Sequence, residues 1–265
     1  MLAAPLALVP GRGRVPVAPF ALGGTAAVRV SVVIPALNEA ANLPAVLPRI
    51  PAWVDEVLLV DGQSTDATVA VAKQLRPDIR VLVEARPGKG RALRRGLAAA
   101  QGDLVLLLDA DGSTAPEELP AFVGALLSGA DVVKGSRFVQ GGGSADLSWL
   151  RRVGNRLLVR LVRLAFGGQY TDLCYGYTGL WRAAVGVLGL EAEGFEIETE
   201  LTIRALRAGL AVAEVASFEA SRLHGASHLR TGADGWRVLR TILRERFRPA
   251  PSRYASAAQT AVEER

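Results

Sequence analysis

The sequence lacks several features that would place it in familiar classes of protein. It contains a single cysteine, Cys174, so no intramolecular disulfide can form. A chain with so little cysteine is typical of a reducing compartment, and we expect it to work in the cytoplasm. No stretch approaches the roughly 18 consecutive apolar residues that a membrane-spanning helix needs. The apolar N-terminus has no basic residue before its apolar run and contains Pro5 and Pro10, so it does not resemble a signal peptide.

Aromatic residues are also scarce, at 6% of 265 residues. The sequence has neither an aromatic-basic ribonucleoprotein motif nor zinc-finger spacing, so we expect no nucleic-acid partner despite the net charge of +5. The excess of positive charge is local, since residues 222–248 contain seven arginines and two acidic residues. Such a basic region suits phosphate groups, nucleic acid or an anionic membrane surface.

Composition divides the chain into four parts. Residues 1–27 are rich in Ala, Pro and Gly and are predicted to form a flexible arm, and residues 249–265 are predicted to form a disordered tail. Residues 28–230 are predicted to form one domain, followed by a basic amphipathic helix over residues 231–248.

Apolar β-branched runs alternate with helical patterns through the first half of the chain. The predicted strands are 28–35, 56–61, 79–84, 103–109 and 130–135, with a later one at 211–216. The predicted helices lie near 39–49, 66–75, 90–100 and 116–128, with Ser64 and Asp66 capping the second. Nearly continuous apolar strands that alternate with helices predict a single Rossmann-like α/β domain with a mostly parallel sheet.

Polar loops follow the first five predicted strands. They read "PALNE" (35–39), "DGQSTD" (61–66), "RPGKG" (86–90), "DADGST" (109–114) and "GSR" (135–137). In a parallel sheet the carboxyl ends of the strands lie at one edge, where ligands bind. Five polar loops at that edge predict a site for a polar, anionic ligand.

Three of these loops contain charged residues suited to such a ligand. Asp109 and Asp111 are two residues apart at a strand end, so on an extended backbone their side chains point to the same side. Two carboxylates suit Mg²⁺ or Mn²⁺ bound to phosphate, although a turn before a helix would also use aspartates there. Asp61 suits either an Asx-turn or a hydrogen bond to a base or ribose. Lys89, between two glycines, suits either an anion site or an exposed loop.

These motifs, in this order, resemble the nucleotide-sugar domain of family 2 glycosyltransferases, which have the glycosyltransferase A-type fold. The likeness is carried by "SVVIPALNE", "VDGQSTDAT", "GKGRALRRGL" and "LLLDADGST", and it continues through "GSRF", "TDLCYGYTGLWR", "FEIE" and "RLHGASHL". It covers residues 28–230 and is strongest to the dolichyl- and polyprenyl-phosphate sugar synthases. The resemblance implies inverting, metal-dependent transfer of a sugar from a nucleotide-diphosphate sugar, with UDP favoured and a polyprenyl phosphate as acceptor.

The resemblance also implies roles for individual residues. The nucleoside pocket would be lined by Pro35, Ala36, Asn38, Glu39 and Asp61, with Lys89 near the base or ribose. The metal-diphosphate would be held by Asp109 and Asp111, and Ala110 between them would contact the nucleotide sugar. Arg137 and Arg222 would lie near phosphates, with Arg222 as a catalytic residue. The sugar and acceptor would face Asp172, Glu196 and Glu198. A hydroxyl acceptor would require Asp172 or Glu198 as general base, whereas a phosphate acceptor is already anionic.

The sequence departs from the family pattern at two positions. Gly62 stands where many relatives have a second aspartate, and Ser113 stands where many have a third metal ligand. Three alternatives are a soluble hydroxyl acceptor, a pseudoenzyme that binds nucleotide sugar without transfer, and a nucleotidyltransferase. The last is disfavoured because "PALNEAANLP" lacks the Gly-rich loop with an Arg-Lys pair that those enzymes place after the first strand.

Two basic amphipathic helices are predicted, at residues 147–166 and near the C-terminus. In the first, leucines and valines form one stripe, and Arg152, Arg156, Arg160 and Arg163 form another. The apolar stripes would pack either on the sheet or on a second subunit, as in a homodimer, with the arginines in solvent. The other interpretation is that both helices lie on an anionic bilayer, which predicts a peripheral enzyme at the inner face of the membrane.

Overall fold

The centre of the molecule is a seven-stranded sheet, seen in a computed structural model that describes residues 27–225 and 231–249. The strands are β1 (Val30–Ala36), β2 (Glu56–Asp61), β3 (Arg80–Val83), β4 (Leu104–Leu107), β5 (Val132–Ser136), β6 (Gly143–Ser144), β7 (Thr178–Trp181), β8 (Val212–Ala216) and β9 (Phe218–Glu219). The order across the sheet is β3-β2-β1-β4-β7-β5-β8, and β6 pairs with β9 separately. Only β7 runs antiparallel to its neighbours in the large sheet, so the predicted mostly parallel sheet is confirmed.

Helices cover both faces of this sheet. They are α1 (Thr68–Leu75), α2 (Lys89–Ala99), α3 (Leu119–Leu127), α4 (Trp149–Phe166), α5 (Arg182–Leu188), α6 (Ile197–Arg207) and α7 (Thr231–Phe247). One face packs against α1 and α3, and the other packs against α2, α5 and α6. Val32, Val33 and Ile34 of β1 are consecutive and fully buried, because both faces of the strand are covered. Each such side chain stabilises the fold by about 1.5–3 kcal/mol relative to an exposed one.

Helices α4 and α7 form a third layer outside α6. Val159 and Val162 of α4 pack with Ile203 of α6 and with Val238 and Ile242 of α7. The helix predicted at 147–166 is confirmed, and it begins where the Ser148 hydroxyl accepts a hydrogen bond from the backbone N–H of Arg151. Within the described part of the chain, no helix is long and apolar enough to cross a bilayer. The predicted arm (1–27) and tail (249–265) lie, but for their innermost residues, outside the described residues.

The helix predicted over residues 39–49 is wrong. The segment forms two short 3₁₀ helices, Leu43–Ala45 and Leu47–Arg49. Pro44 and Pro48 lack backbone N–H groups and so interrupt the hydrogen-bond ladder of an α-helix. The cap predicted at Ser64 is wrong as well, because α1 begins at Thr68 and the Ser64 hydroxyl instead accepts a hydrogen bond from the backbone N–H of Asn38.

The antiparallel strand β7 was not predicted, and it decides what reaches the ligand edge of the sheet. An antiparallel strand starts at the edge where its parallel neighbours end. The segment before β7, residues 170–177, therefore lies at the edge where β1 and β2 end and next to the loops that follow β4 and β5. Its polar groups are held by hydrogen bonds, including one from the side chain of Lys134 to the carbonyl oxygen of Tyr175 (3.3 Å).

Candidate active site

Asp109 and Asp111 follow β4, and each contacts a different basic side chain. A carboxylate oxygen of Asp109 is 2.8 Å from the Nζ of Lys89, and Oδ2 of Asp111 is 3.2 Å from an Nη of Arg222. Gly112, with a φ of +79°, completes the turn in the left-handed region that favours glycine. The strand predicted to reach Asp109 ends at Leu107, and Ala110 and Asp111 lie in a turn.

Lys89 joins the turn to the acidic start of α6. Its Nζ lies 2.8 Å from Asp109 and 2.8 Å from Glu198. Burial alone would lower the pKa of Lys89, but the two carboxylates outweigh it and hold the pKa well above its usual value. Burial raises the pKa of Glu198, and Lys89 offsets part of that rise. Lys89 is therefore a charged residue that holds two carboxylates close together.

Gly176 makes this cluster sterically feasible. A Cβ at this position would lie 2.8 Å from both the Nζ of Lys89 and the Oε1 of Glu198, and 2.9 Å from Oδ2 of Asp109. Any larger residue would push the charged groups apart. The backbone of Gly176, which carries no side chain, thus forms one wall of the site.

Arg222 binds three groups in the loops around the site. Its guanidinium contacts Glu39 (2.5 Å) and Asp111 (3.2 Å), and its Nε donates to the carbonyl oxygen of His224 (2.7 Å). The segment that contains Arg222 is thereby held across the loops after β1 and β4. Arg222 is thus ion-paired with two carboxylates, and it lies where an anionic ligand would add further negative charge.

Arg137 and Asp172 form a buried pair beside the site. Two guanidinium nitrogens of Arg137 donate to the two oxygens of Asp172 at 2.6 and 2.9 Å, and a third donates to Glu219 at 3.0 Å. Asp172 has no exposed surface. Burial would lower the pKa of Arg137, but these carboxylates raise it above its usual value. Asp172 thus has its negative charge matched within the protein.

Two cavities meet at the charged cluster. The first, of about 290 Å³, lies over the loops after β1 and before α2. The second, of about 370 Å³, lies between the cluster and helices α4 and α7. Both are lined by Lys89, Asp109, Asp111, Phe195 and Arg222. A molecule in one cavity would therefore touch a molecule in the other at these residues.

The second cavity is lined by both polar and apolar side chains, and its lining near α4 and α7 also includes Asp146, Arg151, Asn155 and Asp234. Beside the charged cluster it has Arg137 and Glu219. Its apolar lining is made by Leu147, Leu150 and Leu158, in and just before α4, and by Val238 of α7. The arrangement suits an amphiphilic ligand, with an anionic group at the cluster and a hydrocarbon between the two helices.

The structure brings together most of the residues predicted to bind a nucleotide sugar. The first cavity is lined by Pro35, Ala36, Glu39, Lys89, Asp109, Ala110, Asp111 and Arg222. Asn38 and Asp61 line neither cavity. The Oδ1 of Asn38 accepts from the backbone N–H of Thr65 (2.8 Å), and Asp61 accepts from the backbone N–H of Ser64. Both side chains hold the loop after β2 in place.

The remaining predicted acidic residues have different surroundings. Glu198 lines the second cavity, whereas Asp172 lines neither. Glu196 accepts hydrogen bonds from the backbone N–H groups of Glu193 and Gly194, so it holds the turn before α6. Sequence reasoning missed Phe195 and Gly176. Both lie inside motifs that carry the family resemblance, and their place in those motifs is the signal by which they could have been found.

A model of glycosyl transferase family 2 matches residues 31–189. An uncharacterized glycosyltransferase of Mycobacterium tuberculosis (strain ATCC 25618 / H37Rv) is 38% identical over 186 residues, which are 70% of this chain and 83% of that protein. The polyprenol monophosphomannose synthase of Mycolicibacterium smegmatis is 36% identical over 201 residues, which are 71% of this chain and 76% of that protein.

A solved structure shares the fold. Glucosyl-3-phosphoglycerate synthase from M. tuberculosis, in complex with Mn²⁺, uridine diphosphate and glucosyl-3-phosphoglycerate, superimposes with a TM-score of 0.66 at 29% identity. The match covers 84% of this chain and 82% of that one. The family model spans more than half of the chain, and the resemblance seen in the motifs is confirmed. The chain belongs to glycosyl transferase family 2 and is a glycosyltransferase.

Proposed function

We propose that this protein transfers a sugar from a nucleotide-diphosphate sugar, with UDP as the favoured nucleotide, to a polyprenyl phosphate. The observation that carries the proposal is the meeting of two cavities at Lys89, Asp109, Asp111 and Arg222, with the second cavity continuing between apolar residues of two helices. The first cavity would hold the nucleoside. The second would hold the phosphate of the acceptor and the first part of its hydrocarbon chain.

The carboxylate oxygens of Asp109 and Asp111 fit Mg²⁺ or Mn²⁺ as ligands. Both residues offer carboxylate oxygens, which are hard ligands, and both face the two cavities. The described residues contain no group of three or more His, Cys, Asp or Glu that could hold a metal. Two carboxylates would leave coordination positions for diphosphate oxygens and water, as Mg²⁺ prefers. The ion would neutralise the charge that develops on the departing diphosphate.

The residues of the chain would position the donor and stabilise the leaving group. Arg222 would interact with the diphosphate through its planar guanidinium, which suits phosphate oxygens. Lys89 would keep Asp109 and Glu198 in place while contributing positive charge next to the leaving group. The mycobacterial glucosyl-3-phosphoglycerate synthase was solved with UDP and Mn²⁺, which supports this class of donor.

The acceptor phosphate would be the nucleophile. One of its oxygens would form a bond to the anomeric carbon of the sugar while the bond from that carbon to the diphosphate breaks, so that nucleoside diphosphate leaves and the configuration inverts. A phosphate oxygen is already anionic, so the step needs no general base. This agrees with Asp172 being fully paired to Arg137 and with Glu198 being bound to Lys89. The polyprenol monophosphomannose synthase relative supports the same class of acceptor.

An acceptor that is a soluble hydroxyl compound is the second candidate. The structural likeness to glucosyl-3-phosphoglycerate synthase favours it. A hydroxyl would require a general base, and of the two acids predicted for that role only Glu198 lines the second cavity. The two candidates are distinguished by mass spectrometry of the products formed when polyprenyl phosphate and 3-phosphoglycerate are supplied together as acceptors. UDP- and GDP-sugars serve as sugar donors, and Mn²⁺ is present. We expect a glycosyl polyprenyl phosphate, and formation of glucosyl-3-phosphoglycerate alone would contradict the proposal.

The outer surfaces of α4 and α7 support work at a membrane surface. Trp149 of α4 is 76% exposed and Trp236 of α7 is 65% exposed, and both helices carry exposed arginines. Aromatic residues with cationic neighbours are typical of helices that lie in a bilayer interface. Each arginine near an anionic surface adds roughly 1 kcal/mol of attraction, which salt screens. This arrangement would place the opening of the second cavity where a lipid phosphate enters, at the cytoplasmic face.

Co-sedimentation with vesicles tests this surface. We expect wild-type protein to bind anionic vesicles at low salt, and the variant Arg156→Glu/Arg160→Glu on α4 to lose that binding. The variant Lys73→Glu/Arg95→Glu changes net charge equally at exposed positions on α1 and α2, and it should bind like wild type. Equal loss of binding in both variants would show that only net charge matters and would contradict the assignment of this surface.

A further inference from the structure

Asn42 connects two loops that are far apart in the sequence. It is 2% exposed and follows the loop after β1. Its Nδ2 donates to the Oε2 of Glu39 (2.5 Å) and to the carbonyl oxygen of His224 (3.2 Å), 182 residues away. Its Oδ1 accepts from the backbone N–H of His224 (2.9 Å). Both ends of one amide side chain are thus used to bind the segment that contains Arg222.

These hydrogen bonds close a ring that includes Arg222. Glu39 uses one oxygen for Asn42 and the other for the guanidinium of Arg222. The carbonyl oxygen of His224 accepts from both Asn42 and the Nε of Arg222. The remaining contact of the guanidinium is with Asp111 at the junction of the two cavities. Asn42 thereby fixes both the acidic partner of Arg222 and the backbone that follows it.

Few other contacts with described residues hold the segment 220–225. None of its residues is buried, and its side chain with most apolar area, Leu223, is half exposed above Gly112. Within the described part of the chain, its other backbone bonds are from the N–H of Ala220 to the carbonyl oxygen of Ser113 and from the N–H of Leu223 to that of Asp111 (3.3 Å). A segment with few buried apolar contacts opens locally at low cost, so its position depends on its hydrogen bonds.

We propose that Asn42 is a positioning residue that sets Arg222 for the diphosphate of the donor. The inference rests on the proposed function, since it assigns the diphosphate to Arg222. An amide is suited to this position because it offers an acceptor to one N–H and donors to a carboxylate and a carbonyl at once. Aspartate keeps the shape of the side chain but loses the donors and places a second negative charge beside Glu39. Leucine keeps the approximate volume and loses all three bonds.

The test combines hydrogen exchange with a double-mutant cycle. In donor-free Asn42→Leu, we expect faster amide exchange over residues 220–225, where the N–H of His224 has lost its acceptor. Asn155→Leu is the matched control, because Asn155 is also buried and holds Thr171 and Leu173 instead. It should raise exchange near residues 171–173 and leave residues 220–225 unchanged. If Asn42→Leu does not fold, Asn42→Ala serves in its place, because it also removes the acceptor for the N–H of His224.

Binding of UDP with Mn²⁺ gives the second readout. Asn42→Leu should raise the dissociation constant about tenfold in the wild-type background and leave it unchanged in an Arg222→Ala background, because Asn42 acts through Arg222. The same loss in both backgrounds, or unchanged exchange over residues 220–225, would overturn the proposal. If neither UDP nor GDP binds the wild type while exchange rises as expected, the donor assignment fails and the role of Asn42 in holding the segment stands.

Discussion

The two oxygens of Asp172 accept hydrogen bonds from two nitrogens of the Arg137 guanidinium, at 2.6 and 2.9 Å, in a region where Asp172 has no exposed surface. Removing one partner of a buried ion pair destabilises a protein, because the other charge is left buried without compensation. The pair closes the segment before β7 onto the end of β5. Asp172 is one of the two candidates for a general base with a hydroxyl acceptor, and in this structure its carboxylate is bound to Arg137.

Asp172→Asn should destabilise the protein by about 3 kcal/mol, because the buried guanidinium of Arg137 then keeps only Glu219 as a counterion. Urea unfolding measures the change. Glu117→Gln is the control, since Glu117 and Arg49 form an exposed pair that contributes at most about 1 kcal/mol. If Asp172→Asn unfolds like the wild type but loses turnover only, Asp172 acts as a base after all.

Asp111→Asn should abolish metal-dependent binding of a nucleoside diphosphate while leaving the unfolding midpoint in buffer nearly unchanged. Asp111 is at the junction of both cavities, and a neutral amide is a poor ligand for Mg²⁺ or Mn²⁺. Calorimetric titration of UDP with and without Mn²⁺ gives the comparison, with the exposed Asp78→Asn as the matched variant. Metal-independent binding that survives in Asp111→Asn would show that the carboxylate does not hold a cation.

Gly176→Ala should reduce turnover at least tenfold, because its methyl group would occupy the space between Lys89, Asp109 and Glu198. Gly186→Ala in α5 is the control, since a Cβ there meets nothing within 4 Å. That change should stabilise the helix by up to about 1 kcal/mol without altering turnover. Steady-state kinetics and thermal unfolding of the two variants provide the measurement. Wild-type turnover in Gly176→Ala would mean that the spacing of the cluster is not critical.

Stability in acid should depend on Glu191. A hydrogen bond from Arg248 is the main cause that lowers the pKa of Glu191 to about 2. A carboxylate whose pKa is lowered by folding stabilises the native state above its unfolded value, near 4.5, and this contribution is lost as pH falls toward 2. The side chain is 50% exposed, so we expect Glu191→Gln to cost at most about 1 kcal/mol at pH 6.

Urea unfolding of wild type and Glu191→Gln across a pH series tests this. The difference between them should be constant above pH 5 and should shrink steadily below pH 4.5. A difference that is independent of pH would show that the ion pair with Arg248 contributes nothing.

Local patterns in the sequence were sufficient for the architecture and for much of the site. Apolar runs alternating with helical periods predict a parallel sheet, and in such a sheet the loops after the strands meet at one edge. Asp109, Asp111 and Lys89 could therefore be assigned to one site without knowledge of any contact. The same local signals placed α4 and its two stripes, because helical periodicity extends over 18 residues.

The tertiary structure decided the pairings. The sequence does not show that Asp172 is neutralised by Arg137, that Lys89 lies between Asp109 and Glu198, or that Asn42 binds His224. These partners are 20 to 182 residues apart, and each pairing depends on which loops the order of the strands brings together. The antiparallel β7 is the main instance, since its direction alone carries the segment with Asp172 and Gly176 to the ligand edge. The sequence determines which ionisable side chain stands at each position, but packing determines its partner and its burial. These two decide whether an acidic residue binds a ligand or stabilises the fold.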